Sequence, residues 1–557
     1  MRRLTLLLTS LLLLAADVPR TPTIDTLPVP GPDALAEVAR DVVAVAVAID
    51  PSLAAGNGLF DDALRVPSWS PKSVKKLVKR ADRALVDLRA LPWAELTIDE
   101  QIDARWLYAV AETAKHQLLV ERLYARRPAQ WLEPVANDLI NLGSYAPDRP
   151  ELQDQVFEQI PAMIAEMRQV VTEPTARDIE TAITLADALA EMAAARNDTA
   201  ASSALALYAE DLAKMAPNHD FAVIGPDAYA WRVAHTQLLP WTADELLARA
   251  EAELAVVDAR LAGLPPRSAD VPPTDAQLAL AKDLDRDRLL GLYDAIELAH
   301  RASTLAGGWV SIPEAVGPVR ARETPDAMVP LTGDGGSMNP PPTYADWNIG
   351  YWNVEHFNPE WTLDERAGMI TRAQGFLDNG MGPYSAHEGF PGHHLQLSIA
   401  RLHADPIRSI LPDSVLNEGW GLYSEETHWQ HGGLGAGADA ERSMLNAYRG
   451  RIRRVVYDVN VETGRWTLQQ AADWKHGQAG GVIDEDILRA INWPTQLTGY
   501  FAGKVQIVAL REEVRAKEGA AFDERRFHDA LLAEGSIPVA LIRCKMLGLP
   551  VPSLPAE

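Results

Sequence analysis

The feature that most constrains this chain is its repeated use of capped, amphipathic helical segments. In "SWSPKSVKKLVKRADRALVDLRAL" (68–91), Ser70 stands where a helix N-cap belongs and Pro71 falls in the first turn. Val74, Leu77, Val78, Ala81 and Leu85 then recur at the spacing of one helix face. "WTADELLARAEAELAVVDARLAGL" (241–264) sets Thr242 and Glu245 as a capping box ahead of an apolar stripe of Leu247, Ala250, Leu254, Val257 and Leu261. Segments 99–125, 150–170, 176–215, 280–305 and 504–517 read the same way, and such stripes are core packing rather than cofactor sites.

Strand patterns are scarce. The best lies in 325–357, whose Gly, Pro, Trp and Tyr suit a loop with one or two short strands. The expected fold is mainly α, a large multi-helix architecture with a small β element next to the histidine cluster at 387–394. The turn-rich "PPRSADVPPTD" (265–275) separates an N-terminal helical region, 17–270, from a C-terminal region, 271–557, that carries the histidines. A chain of 557 residues ordinarily holds more than one domain.

A net charge of −25 argues against nucleic acid or an anionic membrane as partner, since phosphate contact needs a basic field. Two arginines followed by an apolar run from Leu4 to Ala16 read as a secretory signal over residues 1–16, too short to span a bilayer. The expectation is an exported protein, periplasmic or extracellular, with no membrane span once the signal is removed. Asp17 stands where a lipoprotein would need cysteine, so no lipid anchor is expected. Cys544 is the single cysteine, which excludes an intrachain disulfide and any thiolate metal site.

Metal ligands must then be histidine or carboxylate, and "SAHEGFPGHHLQ" (385–396) concentrates them. A zinc protease helix reads H-E-x-x-H; here Pro391 occupies the place of the second histidine. On an ideal helix His393 would lie about 240° round from His387, and His394 about 10.5 Å along the axis. Pro391 forbids an ideal helix, because it has no N–H and its ring clashes with the carbonyl of His387. A widened turn that absorbs two residues would bring His393 to the metal, leaving His394 as the alternative ligand or as a supporting group. Glu388 is placed to accept a proton from a metal-bound water. In "VLNEGWGLYSEE" (415–426), Glu418 would complete the set, with Gly419 admitting close packing against the first helix. Glu425, seven residues on along the same helix face, would hold the free ring nitrogen of a ligand histidine. Zinc is the expected ion for such a set. Isolated His356 and His428 read as ordinary structural histidines.

These residues resemble the bacterial family labelled domain of unknown function 885, grouped with gluzincin-type zinc metallopeptidases. Its His-Glu-x-x-Pro-Gly-His-His-x-Gln run is matched by His387, Glu388, Pro391, Gly392, His393, His394 and Gln396. Its Glu-Gly-Trp-x-Leu-Tyr-x-Glu helix is matched from Glu418 to Glu425, and its Pro-x-Gln-x-x-x-Tyr-x-x-Gly-Lys segment by Pro494, Gln496, Tyr500, Gly503 and Lys504. "RVVYD" (454–458) resembles the family's Arg…Asp helix, while Glu462 replaces a histidine usual there, a change expected to alter specificity or pH dependence if that histidine binds substrate.

The resemblance implies a zincin-like architecture and hydrolysis of a peptide bond or small amide, with Glu388 as general base. Tyr500 would donate to the oxyanion, Arg454, Lys504 and Gln496 would bind substrate, and 344–357 would supply an edge strand for an extended peptide. Two other readings fit the same residues: a non-catalytic metal-containing binding protein, and a zinc hydrolase of non-peptide amides or esters.

Overall fold

A computed structural model describes residues 22–555 apart from 218, 220, 268–271 and 379–381. The expected signal over residues 1–16 lies outside the described residues.

The caps read from sequence build the helices that follow them. Ser70 accepts from the Ser73 amide at the start of Pro71–Ala90, and Thr242 and Glu245 exchange backbone hydrogen bonds at the start of Ala243–Gly263. Several long segments break where a second cap intervenes. The 176–215 segment divides into Ala176–Ala195 and Thr199–Lys214, because Asn197 takes a left-handed conformation and Asp198 caps the new helix. Likewise Asp285 starts Arg286–Gly307 afresh after Asp275–Lys282. The described residues are mainly helical, with one three-stranded sheet among them.

The sheet comprises β1 (Val319–Glu323), β2 (Ser337–Asn339) and β3 (Gly350–Val354), in the order β1-β3-β2. β3 pairs in parallel with β1 and antiparallel with β2. This corrects the edge-strand expectation: residues 350–354 are the central strand, with both hydrogen-bonding sides already used, so they offer no free edge to a peptide.

Three large apolar clusters hold the helices together. One joins the N-terminal helices through Leu107, Trp131, Leu139 and Leu185, and includes Ile407 and Ile410. A second gathers Trp106, Trp309, Trp352, Phe390, Leu395 and Trp420 around the sheet. The third packs Leu246 and Val257 against Ile452, Tyr457 and Phe501. Helix Ile98–His116 serves both of the first two, with Leu107 in one and Trp106 in the other. All three clusters therefore take residues from both sides of the 265–275 connection.

Candidate metal centre

Six helices position the histidine cluster, numbered in chain order: α1 (Arg286–Gly307), α2 (Pro383–Glu388), α3 (His393–Ala400), α4 (Ser414–Gln430), α5 (Ala438–Glu462) and α6 (Gln496–Glu518). The turn around Pro391 is widened by two residues, as expected, but it interrupts the helix rather than bulging within it. The chain leaves α2 after Glu388 and opens α3 at His393, because Pro391 can donate nothing to the preceding turn. Gly392 closes the break by donating to Ala386 O at 3.0 Å. A side chain at Gly392 would collide with the His387 carbonyl, and one at Gly389 with the Glu297 carboxylate.

The break is braced from neighbouring helices. Trp420 Nε1 donates to Pro391 O at 3.0 Å, and Phe390 N donates to Glu297 Oε2 at 3.2 Å. His300 Nε2 lies 2.8 Å from Ser385 Oγ. Sequence reading missed Glu297 and His300: they sit on the apolar stripe of α1 without a motif. His428 contacts His300 and Ser303, and His356 pairs with Asp334, so both are structural.

With α2 and α3 as separate pieces, His387, His393 and Glu418 converge, their ligand atoms all within 4.8 Å of one another. Glu418 Oε2 lies 3.4 Å from His387 Nε2 and 3.3 Å from His393 Nε2. Zinc bonds of about 2.0–2.2 Å at tetrahedral angles put donors roughly 3.3–3.6 Å apart, so the set fits zinc in donor type and both distances to Glu418 match it. His394 is not in the group: its Nε2 donates to Gly317 O at 2.9 Å, and burial pushes its pKa down to about 4. It is a neutral brace between α3 and the sheet region.

Glu425 Oε1 accepts from His387 Nδ1 at 2.8 Å, which directs Nε2 toward Glu418. Two lone-pair-bearing atoms 3.4 Å apart repel unless positive charge lies between them. Without a metal that charge is a proton. Burial opposes ionisation of His387, but the hydrogen bonds to Glu418 and Glu425 override it and lift its pKa to about 10. Burial likewise opposes the Glu418 charge, and the two histidines still hold its carboxyl well below the usual range.

The expected packing role of Gly419 is corrected. It meets α6 at Gly503, where a Cβ would lie 2.5 Å from Gly503 Cα; Gly421 is the residue that makes room for the His387 ring.

The remaining predicted residues divide. Gln496 Nε2 donates to Glu418 Oε1 at 2.8 Å, so it holds a ligand candidate in place. Tyr500 stacks on His387, ring centroids 5.8 Å apart, and its hydroxyl accepts from Arg489 at 3.2 Å. Arg454 lies over the Tyr500 ring at 4.8 Å and pairs with Asp486 at 2.6 Å, not with Asp458. Asp458 instead accepts from Tyr229. Lys504 is directed elsewhere: its ammonium meets Glu426 at 2.5 Å and the Tyr448 ring, in a separate cavity of about 390 Å³. Glu462 is also remote, fully buried and accepting from Ile224 N at 3.0 Å, its pKa pushed up to about 8 by burial. Glu388, 5% exposed, lies close enough to Glu297, Tyr384 and His387 for its charge to act on each of them.

No curated protein matches the chain. Among solved structures, a protein from Shewanella oneidensis described as a lipoprotein of unknown function superposes with a TM-score of 0.68 at 20% identity, covering 92% of this chain and 99% of that one. One from Colwellia psychrerythraea, also described as a lipoprotein, gives 0.63 at 16% identity with the same coverage. These share the fold. The family described as "Bacterial protein of unknown function (DUF885)" matches residues 51–546, nearly the whole described chain, and this protein belongs to it.

Proposed function

We propose that this protein is a zinc-dependent hydrolase of the gluzincin type that cleaves peptide bonds. The observation that carries the reading is the convergence of His387, His393 and Glu418 at zinc-ligand spacing, beside a buried carboxylate, Glu388, outside the ligand set. Bound zinc supplies Lewis acidity, which brings a coordinated water toward a pKa near 7 and polarises the scissile carbonyl.

The chain's own residues do the rest. Glu388 takes the proton as the water oxygen bonds to the carbonyl carbon, then delivers it to the amine nitrogen as the C–N bond breaks. Tyr500 accepts from Arg489, so its own hydroxyl hydrogen is free to donate to the oxyanion. Glu425 and Gln496 keep His387 and Glu418 aimed. An exported location is supported by the leader-like first 16 residues and by the lipoprotein descriptions of both structural neighbours.

The test is a metal assay followed by a peptide-library cleavage assay. Zinc-loaded wild type should hold one ion per chain and cleave; Glu388→Gln should hold the same zinc and cleave at least about 100-fold more slowly. Equal rates for the two proteins reject the reading.

A further inference from the structure

Beside the candidate metal centre lies an open cavity of about 570 Å³, lined among others by Tyr384, Gly336, Arg454, Lys475 and Arg489. Tyr384 belongs to α2, the helix that carries His387 and Glu388, so the cavity adjoins the reacting group. Its cations are not equally compensated. Lys475 lies 2.9 Å from Asp484 and 3.3 Å from Asp486, and Arg454 lies 2.6 Å from Asp486. Glu485, the third acid on the lining, faces Gly333.

Arg489 differs. Its hydrogen-bond partners are both neutral, Gln496 Oε1 at 3.3 Å and Tyr500 OH at 3.2 Å, and its Nε is buried without a partner. Arg454 Nε is buried and unpartnered too, and the two guanidinium groups are close enough to repel. Two carboxylates lie close enough to act on Arg489 without bonding to it: Glu418, already committed to two histidines, and Asp486, already shared between Arg454 and Lys475. A half-buried guanidinium that hydrogen-bonds to no carboxylate among the described residues, facing an open cavity, is a receptor for one.

We infer that Arg489, seconded by Arg454, binds a free carboxylate of the substrate, so that the site acts on short peptides that end in a carboxylate. The inference rests on the hydrolase reading for its chemistry. The guanidinium is two hydrogen bonds from Glu418, through Gln496. With about 3.3–3.6 Å of chain per residue, that spacing leaves one or two residues between the scissile bond and the carboxylate.

The test uses full-length protein carrying Glu388→Gln, so that bound peptides persist. It is offered a degenerate library of N-acetyl tripeptides as free acids, and the same library as C-terminal amides, with retained peptides measured by mass spectrometry. Acids should be retained about 30-fold or more over amides, and adding Arg489→Gln should erase the preference. Arg489→Lys, which keeps the charge and loses the fork, should retain part of it and guards against a folding failure. Equal or absent retention of acids and amides, or an acid preference that survives Arg489→Gln, overturns the inference. Acid preference without any cleavage by wild type would leave the carboxylate site standing and remove the peptidase reading. Cleavage of acids and amides at equal rates would do the reverse.

Discussion

Gly421 lies so close to the imidazole of His387 that a Cβ there would sit 2.5 Å from Cε1 and 2.8 Å from both ring nitrogens. Glu418, Gly421 and Glu425 follow one another at i, i+3 and i+7 on α4, so one helix face supplies a ligand candidate, room for the ring and the group that orients it. Gly421→Ala should therefore push the ring off its axis and weaken zinc binding about tenfold or more, read by competition with a chromogenic chelator. Unchanged affinity would show that the ring is not set by this contact.

Glu425→Ala removes the acceptor for His387 Nδ1. Zinc affinity should fall about 10- to 100-fold, while circular dichroism reports an intact helical fold. A loss of the same size from His394→Ala would contradict the assignment, because His394 donates to Gly317 and stands outside the group.

Acid stability should depend on a pair far from the centre. Glu121 lies 2.6 Å from Arg232 and is 1% exposed; burial opposes its charge, but the hydrogen bonds from Arg232 and His116 win and hold its pKa at about 2. A depressed carboxylate pKa contributes stability that is complete above the unfolded value, near 4.5, and lost as pH falls toward 2. That depression corresponds to about 3 kcal/mol. Glu121→Gln should lose stability of that order at pH 7 and flatten the fall between pH 4.5 and 2, measured by urea unfolding. An unchanged acid limb would show that the pair contributes nothing.

The α4–α6 contact predicts a backbone-limited site. A Cβ at Gly503 would meet the Val415 carbonyl and lie 2.7 Å from Gly419 Cα, none of which is a flexible chain end. Gly503→Ala should destabilise by at least about 1–3 kcal/mol, seen as a lowered Tm. A Tm equal to wild type would mean that the helices separate at little cost.

What the sequence made legible follows physical range. Ser70 and Thr242 act within three residues, so their caps could be read directly. The break at Asn197 carries its own local signals, an asparagine that tolerates the left-handed turn and Asp198 as the next cap, but they are set in an alanine-rich run that favours helix on both sides. β1, "VRARE", reads as polar; its Arg322 serves the interior by stacking over Tyr351 and reaching Asn353 and Asn339.

At the centre, His387, Glu388, His393 and Glu418 were visible because proline, glycine and histidine leave few geometries open. The choice between His393 and His394 depended on how the chain breaks at Pro391, which only the fold supplies. Lys504 shares a segment with Tyr500 yet turns to Glu426, a partner 78 residues earlier. Arg489 carried no motif; its meaning lies in hydrogen-bonding only to neutral groups, a property of the folded cavity.

The most direct measurement is the zinc anomalous difference map of a crystal soaked in zinc. One peak should stand about 2.0–2.2 Å from His387 Nε2, His393 Nε2 and a Glu418 oxygen, with Glu388 outside bonding distance. A peak that engages His394 instead, or no peak between residues 387 and 418 at saturating zinc, would contradict the account.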